Sequence, residues 1–219
     1  KRKDGTLVRV NVSLSKARYD GESCVQVMVG DLSEREHFEQ QLLHMSKRDP
    51  ETGLFNRTHL REQLAILSKE VEHAGVTSAL LLVEIENFDT IRKTVGISLS
   101  DIIVQDLAFV IRAQIREGDM LARIGDRSFA VLLTHRLVGA SDQLAKAIRI
   151  AVADHIWSFD NHSVATTCSV GIAPINTYSH APDEVVSRAD KAVHTALARG
   201  GNRIEVVGQE SESHVAQEH

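Results

Sequence analysis

The stretch Arg123-Ile124-Gly125-Asp126-Arg127-Ser128-Phe129 joins two apolar runs and contains the turn that decides the fold. The runs cover residues 120 to 124 and 128 to 133, and each has the length of a buried strand. A Gly-Asp pair between two such runs is a signal for a tight β-hairpin. The sequence therefore predicts an antiparallel strand pair near its centre.

Helices and strands are predicted to alternate on both sides of this hairpin. The helical patterns cover residues 56–73, 89–94, 99–116, 140–156 and 183–198, and the strand patterns cover residues 78–88, 164–174 and 203–207. A hairpin combined with crossover helices favours a mixed sheet over an all-parallel one. We therefore expect an α/β (α+β) fold with helices flanking a mixed sheet.

A second hairpin and a linker helix are predicted before this region. Apolar residues alternate on both sides of Asp20-Gly21, which predicts a β-hairpin over residues 5–30. A capping box at Ser33 and Glu36 then opens a charged helix over residues 33–48. Its short apolar stripe leaves two readings open, a two-helix seam in a homodimer or a face packed on the next domain.

Composition excludes several classes of function. The 219 residues are 42% hydrophobic with a net charge of −5, which gives no basic footprint for DNA. No apolar run reaches the ~20 residues that cross a bilayer. Cys24 and Cys168 are far apart and the eleven histidines show no metal spacing, so neither a metal nor another cofactor is predicted. The expected location is the reducing cytoplasm.

Several segments resemble one family, the GGDEF diguanylate cyclases, in the right order between residues 46 and 207. The resembling segments are residues 49–57 (DPETGLFNR), 82–88 (LVEIENF), 123–129 (RIGDRSF), 169–173 (SVGIA), 190–192 (DKA) and 200–203 (GGNR). The resemblance implies a nucleotidyl-cyclase-like, mixed five-stranded sheet flanked by helices. It also implies a place in cyclic di-GMP signalling.

The domain organisation follows from the same resemblance. Residues 1–32 are similar to the last strands of a PAS sensor domain, residues 33–48 form the linker helix, residues 49–207 form the GGDEF domain and residues 208–219 form a tail. Full-length relatives often continue into an EAL domain, so PAS and EAL domains are the expected neighbours. In style the chain resembles type IV pilus regulators that combine PAS, altered GGDEF and EAL domains.

The signature positions depart from the family pattern where its chemistry needs acids. The family joins two GTP molecules with divalent cations, which carboxylates hold. Glu84 keeps a carboxylate on the first strand, but the acidic pair of the signature corresponds to Arg127 and Ser128. The second signature glycine is Asp126, whose side chain would obstruct close backbone approach to a phosphate. Within Gly125–Phe129 no catalytic acid is retained.

Two of the three substrate contacts that the resemblance implies are also substituted. Asp89 stands where a lysine would meet phosphate and Arg92 where an asparagine would meet guanine, whereas Asp101 keeps its guanine-contacting identity. From these losses we expect that the chain is not an enzyme but a regulatory, relay or dimerisation module. One alternative is a GTP-binding or weakly active cyclase in which the Arg127 guanidinium binds phosphate through two parallel hydrogen bonds.

A second alternative is a cyclic di-GMP sensor. Arg116 and Asp119 form an R-x-x-D placed where the family binds its inhibitory product. An arginine fork fits the O6/N7 edge of guanine, and a carboxylate accepts from guanine N–H groups. The competing interpretation is a surface ion pair at a helix end.

Overall fold

The computed structural model describes residues 10–31, 47–74, 78–134, 139–159, 162–176 and 181–207. The chain divides into two compact units, Lys1–Lys47 and Arg48–His219. The predicted linker helix over residues 33–48 falls almost wholly outside the described residues, as does the tail over residues 208–219. Those two assignments, and the PAS origin of residues 1–32, stay predictions.

The first unit contains the predicted hairpin. Strand β1 (Val10–Tyr19) pairs antiparallel with β2 (Glu22–Asp31). Asp20 and Gly21 connect them with φ angles of 50° and 84°, the positive φ that two-residue hairpin turns require. Apolar side chains on one face of this hairpin remain more than half exposed: Val12, Leu14, Val27 and Val29.

The second unit alternates helices and strands as predicted. In chain order its elements are β3 (Phe55–Asn56), α1 (Arg57–Ala74), β4 (Ser78–Ile85), α2 (Phe88–Val95), α3 (Ile97–Arg112), β5 (Met120–Arg123), β6 (Ser128–Leu133), α4 (Ala140–Asp154), β7 (Ile156–Phe159), β8 (His162–Ala165), β9 (Cys168–Ile175), α5 (Pro182–Ala198) and β10 (Ile204–Val206).

The central sheet is mixed and has the order β10-β9-β4-β6-β5-β3. Strand β4 lies in the middle and pairs antiparallel with β6 and β9, whereas the two edge strands β3 and β10 run parallel to their neighbours. The predicted fold class is confirmed. The sheet has six strands in place of five because the two-residue β3 adds to the edge at β5.

Helices cover both faces of the sheet, and the alternation along β4 assigns each side chain to a face. Leu81 and Val83 pack with α2, α3 and α4, and Leu80 and Leu82 pack with α1 and α5. All four side chains are buried. Glu84 follows Leu82 on the face of α1 and α5, at the end of the strand that approaches the hairpin turn.

Element boundaries differ most from the prediction at two places, and the strand predicted over residues 78–88 also ends earlier, at Ile85. The helix predicted over residues 99–116 ends at Arg112, because the amide N–H groups of Gln114 and Ile115 bond carbonyls three residues back in place of four. Residues 156–159 and 162–165 lie in a region predicted as the end of one helix, a connection and the start of a strand, and they pair as the separate two-stranded sheet β7–β8. Burial of Trp157 in the core stabilises this hairpin.

Among the described residues, no helix is both long enough and apolar enough to cross a membrane.

Candidate functional site

Arg123, the last residue of β5, fixes the position of the turn between β5 and β6. Its side chain is only 9% exposed and donates to Asp49 Oδ1 at 3.2 Å and to Glu51. It also donates to the carbonyl oxygens of Gly125 at 3.2 Å and Asp126 at 3.3 Å. One guanidinium therefore joins the turn to the segment that precedes β3.

Asp49, one of the two acids that Arg123 contacts, is itself held by hydrogen bonds from Thr52. Its Oδ1 accepts from the Thr52 amide at 2.9 Å and the Thr52 hydroxyl at 2.7 Å, and Gly53 closes the turn with φ +68°. Burial alone would raise the pKa of Asp49, but the Thr52 hydrogen bonds and the charge of Arg123 outweigh it and lower the pKa. The DPETGLFNR segment thus supports the turn structurally.

Glu84 lies at the end of β4, directly between Ser128 on β6 and Ser169 on β9. Arg127 donates from Nε to Glu84 Oε1 at 2.6 Å, and the Ser128 hydroxyl donates to Glu84 Oε2. Each carboxylate oxygen is therefore hydrogen bonded to one of the two residues that replace the signature acids. Arg127 also donates from Nη1 to Asp89 Oδ2 at 3.3 Å.

Glu86 lies two residues further on and is held by uncharged donors. The Thr167 and Ser169 hydroxyls each donate to its carboxylate at 2.6 Å, and so does the Asn202 amide. Burial alone would raise the pKa of Glu86, but these three hydrogen bonds outweigh it and lower the pKa. Gly201 has a φ of +71°, which residues with a Cβ rarely adopt, and an added Cβ would also lie 2.7–2.8 Å from this carboxylate.

A cavity of about 310 Å³ lies beside both glutamates and is also lined by Arg127, Leu197, Gly200 and Gly201. Its charged lining consists of two carboxylates and one guanidinium. Arg127 is therefore the one cationic side chain in the lining of this cavity, and it is already paired with Glu84.

The donor set at this position does not fit a divalent cation in the described conformation. Such a cation needs several free oxygen ligands, whereas both oxygens of Glu84 accept from Arg127 and Ser128. Throughout the part of the chain that the structure describes, no group of three or more Asp, Glu, His or Cys side chains is arranged to hold a metal.

Arg92 lies at the expected guanine-edge position and is near Asp101. Its Nη2 is 3.9 Å from Asp101 Oδ1, and its Nη1 is 3.9 Å from Asp126 Oδ2. The guanidinium also lies 5.6 Å from the Phe88 ring centre. The structure thus brings Asp101 together with an arginine of the same chain.

The R-x-x-D pair is formed, but its acid is buried. Asp119 has a side-chain exposure of 0% and accepts from the Thr134 amide at 3.2 Å, while Arg116 Nε lies 3.4 Å from its other oxygen. Arg116 is half exposed and also donates to the Thr134 carbonyl at 2.9 Å. A neighbouring cavity of about 290 Å³ is lined by Asp119, Gly118 and side chains of α1.

Sequence reasoning missed three features of this region. It gave no role to Arg123, to Glu86 or to the pairing of Arg92 with Asp126. A signal for the last was present, because Asp89 and Arg92 are three apart on a helix and Asp126 and Arg127 are adjacent in the turn. The Glu86 hydrogen bonds come from residues 81 to 116 positions away, which no local pattern reveals.

Comparison with known proteins extends the resemblance to most of the chain. A family profile described as "Diguanylate cyclase, GGDEF domain" matches residues 46–203. The probable diguanylate cyclase DgcE of Escherichia coli K12 is 30% identical over 190 residues, which are 85% of this chain and 17% of that protein. Diguanylate cyclase DgcP of Pseudomonas aeruginosa is 32% identical over 72% of this chain and 23% of its own length.

Solved structures agree with the fold. The coiled coil and GGDEF domain of DgcB from Caulobacter crescentus, solved in complex with c-di-GMP, superposes with a TM-score of 0.73 at 25% identity, over 80% of this chain and 92% of that one. The GGDEF domain of FimX from Pseudomonas aeruginosa gives 0.69 at 26% identity, over 73% and 98%. The chain spans less than a quarter of the length of DgcE and DgcP.

The expectation that the chain is not an enzyme is wrong. It relied on side chains at a few signature positions, whereas relatives at 30% identity or above are named diguanylate cyclases and the matched family is one of enzymes. The substituted residues Arg127 and Ser128 bond Glu84, whereas the side-chain hydrogen bonds of Glu86, and those of Arg123 to Asp49 and Glu51, involve neither of them. The chain belongs to the GGDEF diguanylate cyclase family.

Proposed function

We propose that this GGDEF domain acts in the cytoplasm as a regulatory relay in cyclic di-GMP signalling, and that any condensation of GTP it performs is slow. The observation behind this proposal is the ion pair from Arg127 Nε to Glu84 Oε1 at 2.6 Å, completed by Ser128 on the other oxygen. Metal-assisted attack on a phosphate requires that carboxylate as a cation ligand. Here a cation must first displace a guanidinium.

The positive charge of Arg127 at a signature position also opposes the binding of a divalent cation. A guanidinium repels a divalent cation where the signature acid would attract it, and unit charges ~4 Å apart interact by about 4 kcal/mol at an effective dielectric of 20. Arg127 is 42% exposed, so solvent screening reduces this considerably without changing its sign. We therefore expect condensation at least about a hundredfold slower than in a family member with an intact signature.

A turnover assay tests this proposal. The chain and an active diguanylate cyclase are incubated in parallel with GTP and Mg²⁺, and cyclic di-GMP is measured by chromatography. The Glu84→Gln variant is the control, because it removes the carboxylate charge and keeps the shape. A rate within about tenfold of the active enzyme that Glu84→Gln abolishes would refute the proposal.

The relay role concerns neighbours outside this chain. The curated relatives are much longer than the matched region, which supports flanking domains, and we propose a PAS domain before it and an EAL domain after it in the style of type IV pilus regulators. A homodimer through the helix over residues 33–48 belongs to the same proposal. Light scattering of the chain with and without residues 1–47 tests the dimer.

A second candidate function is cyclic di-GMP binding at Arg116 and Asp119. The supporting observations are a cavity of about 290 Å³ that Asp119 lines and the pairing of Asp119 with the half-exposed Arg116. The guanidinium must release the Thr134 carbonyl to form a fork to guanine. The pair would then become a binding site.

Calorimetric titration with cyclic di-GMP tests this second candidate. Arg116→Ala should abolish binding, and Arg112→Ala is a matched control because it removes an exposed arginine at the end of α3. Equal affinities for the chain and Arg116→Ala would contradict the assignment, as would an absence of heat at millimolar ligand.

A further inference from the structure

Two ion pairs cross between the hairpin turn and α2 in a reciprocal arrangement. Asp126 and Arg127 are adjacent in the turn, and Asp89 and Arg92 are one helical turn apart on α2. Arg127 pairs with Asp89 at 3.3 Å, and Arg92 pairs with Asp126 at 3.9 Å. Each element therefore offers one acid and one base to the other.

Each arginine of this arrangement also holds a second carboxylate deeper in the site. Arg127 pairs with Glu84 on β4, and Arg92 with Asp101 on α3. The two groups that the proposed function would use to bind a cation and a guanine edge are thus both engaged by arginines. The guanidinium of Arg127 brings a positive charge to Glu84, where a cation would bring one, and the guanidinium of Arg92 lies beside Asp101, where N–H donors of a guanine would lie.

The Arg92 side chain is incompletely satisfied. Its Nε is buried without a hydrogen-bond partner, and both of its carboxylate partners lie at 3.9 Å, beyond hydrogen-bond distance. Arg92 therefore interacts by charge more than by directed hydrogen bonds. Such contacts break at little cost when a competing ligand or higher salt is present.

We propose that Asp89, Arg92, Asp126 and Arg127 form an intramolecular clasp that holds the turn closed on α2, with the two arginines standing in for ligands at Glu84 and Asp101. This inference rests on the proposed function for the ligand roles of Glu84 and Asp101, but the clasp itself rests on the four contacts alone. In this arrangement Glu84 can act as a ligand for an incoming nucleotide and its cation only after Arg127 releases it.

The charge balance identifies the class of ligand that opens the clasp. Four carboxylates face two guanidinium groups across Glu84, Asp89, Asp101, Asp126 and the two arginines, so the site is acidic overall. A bare polyphosphate anion is repelled by this surplus. A nucleotide that brings its own divalent cation neutralises the carboxylates that the arginines release, and it is the class that competes best.

Hydrogen exchange of the turn, measured by mass spectrometry on the whole chain without nucleotide, tests the clasp. The reporter is the peptide over residues 124–128, which includes the Gly125 amide bonded to the Ser128 carbonyl. Arg127→Gln and Arg92→Gln should each speed its exchange by roughly threefold, the range that exposed ion pairs give. Arg61→Gln, which breaks the exposed pair with Asp183 elsewhere, is the matched control and should change nothing.

A double-mutant cycle separates paired charges from general loosening. Adding Asp89→Asn to Arg127→Gln should produce no further increase, because the partner is already lost, and Arg127→Lys should recover part of the protection. Salt at about 1 M should speed exchange in the unaltered chain but not in the Arg127→Gln, Arg92→Gln double variant. Fully additive effects, or an unchanged peptide in every variant, would overturn the clasp.

The hydrogen-exchange experiments contain no nucleotide, so the clasp and the proposed function can be refuted independently of each other. Rapid turnover in the assay above would remove the proposed function and leave the exchange result standing. Titration with Mg²⁺-GTP completes the inference: the Arg92→Gln, Arg127→Gln variant should bind at least about tenfold tighter than the unaltered chain, and equal affinities would show that the clasp does not guard the site.

Discussion

Glu84 and Glu86 lie two residues apart at the end of β4, yet different kinds of partner hold their carboxylates. Glu86 accepts from two hydroxyls and a backbone amide, which come from the strand β9 region and from the loop after α5. Glu84 accepts from an arginine and a serine at the hairpin turn. One acid is fixed within the scaffold and the other is fixed by residues at the substituted signature.

The same division separates the two arginines of the hairpin. Arg123 is 9% exposed and joins the turn to Asp49 and Glu51, whereas Arg127 is 42% exposed and its partners are Glu84 and Asp89. The difference teaches that the turn has a structural side, which maintains its position, and a site side, where side chains can change without loss of the fold. The following variants test where that boundary lies.

Gly171→Ala should have the largest effect on the free energy of unfolding. An ideal Cβ at Gly171 would lie 2.3 Å from the Ala189 carbonyl oxygen and 2.5 Å from the Val193 amide, so α5 must move away from β9. We expect a loss of about 3 kcal/mol in urea unfolding. The displaced helix would also move the Asn202 amide away from Glu86.

Gly30→Ala is the matched control, because it is also a strand glycine but a Cβ there meets nothing within 4 Å. Its unfolding free energy should stay within about 0.5 kcal/mol of the unaltered chain. A loss in the Gly171 variant no larger than in this control would show that β9 and α5 are not packed as closely as described.

Arg123→Gln should come next, with a loss of about 2 kcal/mol. The variant removes hydrogen bonds to two carboxylates and two carbonyl oxygens, and it leaves Asp49 partly buried without its cation. Urea unfolding gives the value, and Arg48→Gln on the same segment is the comparison. An unchanged midpoint would place Arg123 on the site side of the boundary.

The sequence predicts much of the structural side and little of the site side. Continuous apolar runs predicted the central hairpin and β4, because a strand buried between two helical layers is apolar on both faces. The two-residue β3 and the hairpin β7–β8 escaped this signal, since a few residues cannot establish a period and tertiary packing decides their pairing.

The site was predictable in its positions but not in its contacts. Resemblance identified Glu84, Arg127 and Asp101 as residues of one region, and the structure brings them to the same end of the sheet. It could not show that Arg127 would turn back to Glu84, or that Arg92 would approach Asp101, because side-chain pairing depends on distances between elements 9 to 43 residues apart. Residue types at the signature alone therefore gave the wrong expectation that the chain is not an enzyme, although it belongs to an enzyme family.

Glu86→Gln should destabilise the chain by about 1.5 kcal/mol near neutral pH, and its effect should depend on pH. The amide keeps the shape of the side chain but loses the charge that three donors stabilise. Because the pKa of Glu86 in the folded chain lies below its ordinary value of 4.5, the charge stabilises the fold above pH 4.5.

That stabilisation is lost as the pH falls through the lowered pKa, so the unaltered chain should lose stability in acid more steeply than Glu86→Gln. Urea unfolding measured from about pH 7 down to about pH 3 gives both curves. Glu84→Gln, the neighbouring acid on the site side, serves as the comparison for stability at neutral pH. If the free energies of unfolding of the chain and of Glu86→Gln fell equally with decreasing pH, the lowered pKa of Glu86 would have no role in stability.

Arg127→Gln should have the smallest effect, a loss below about 1 kcal/mol that disappears at high salt. The side chain is 42% exposed and its partner Asp89 is 77% exposed, so water and salt screen most of the attraction. The measurement is urea unfolding of Arg127→Gln beside Arg123→Gln at about 0.1 M and 1 M NaCl. A loss for Arg127→Gln as large as for Arg123→Gln, and equally independent of salt, would move Arg127 to the structural side of the turn and leave Glu84 and Glu86 with one kind of support.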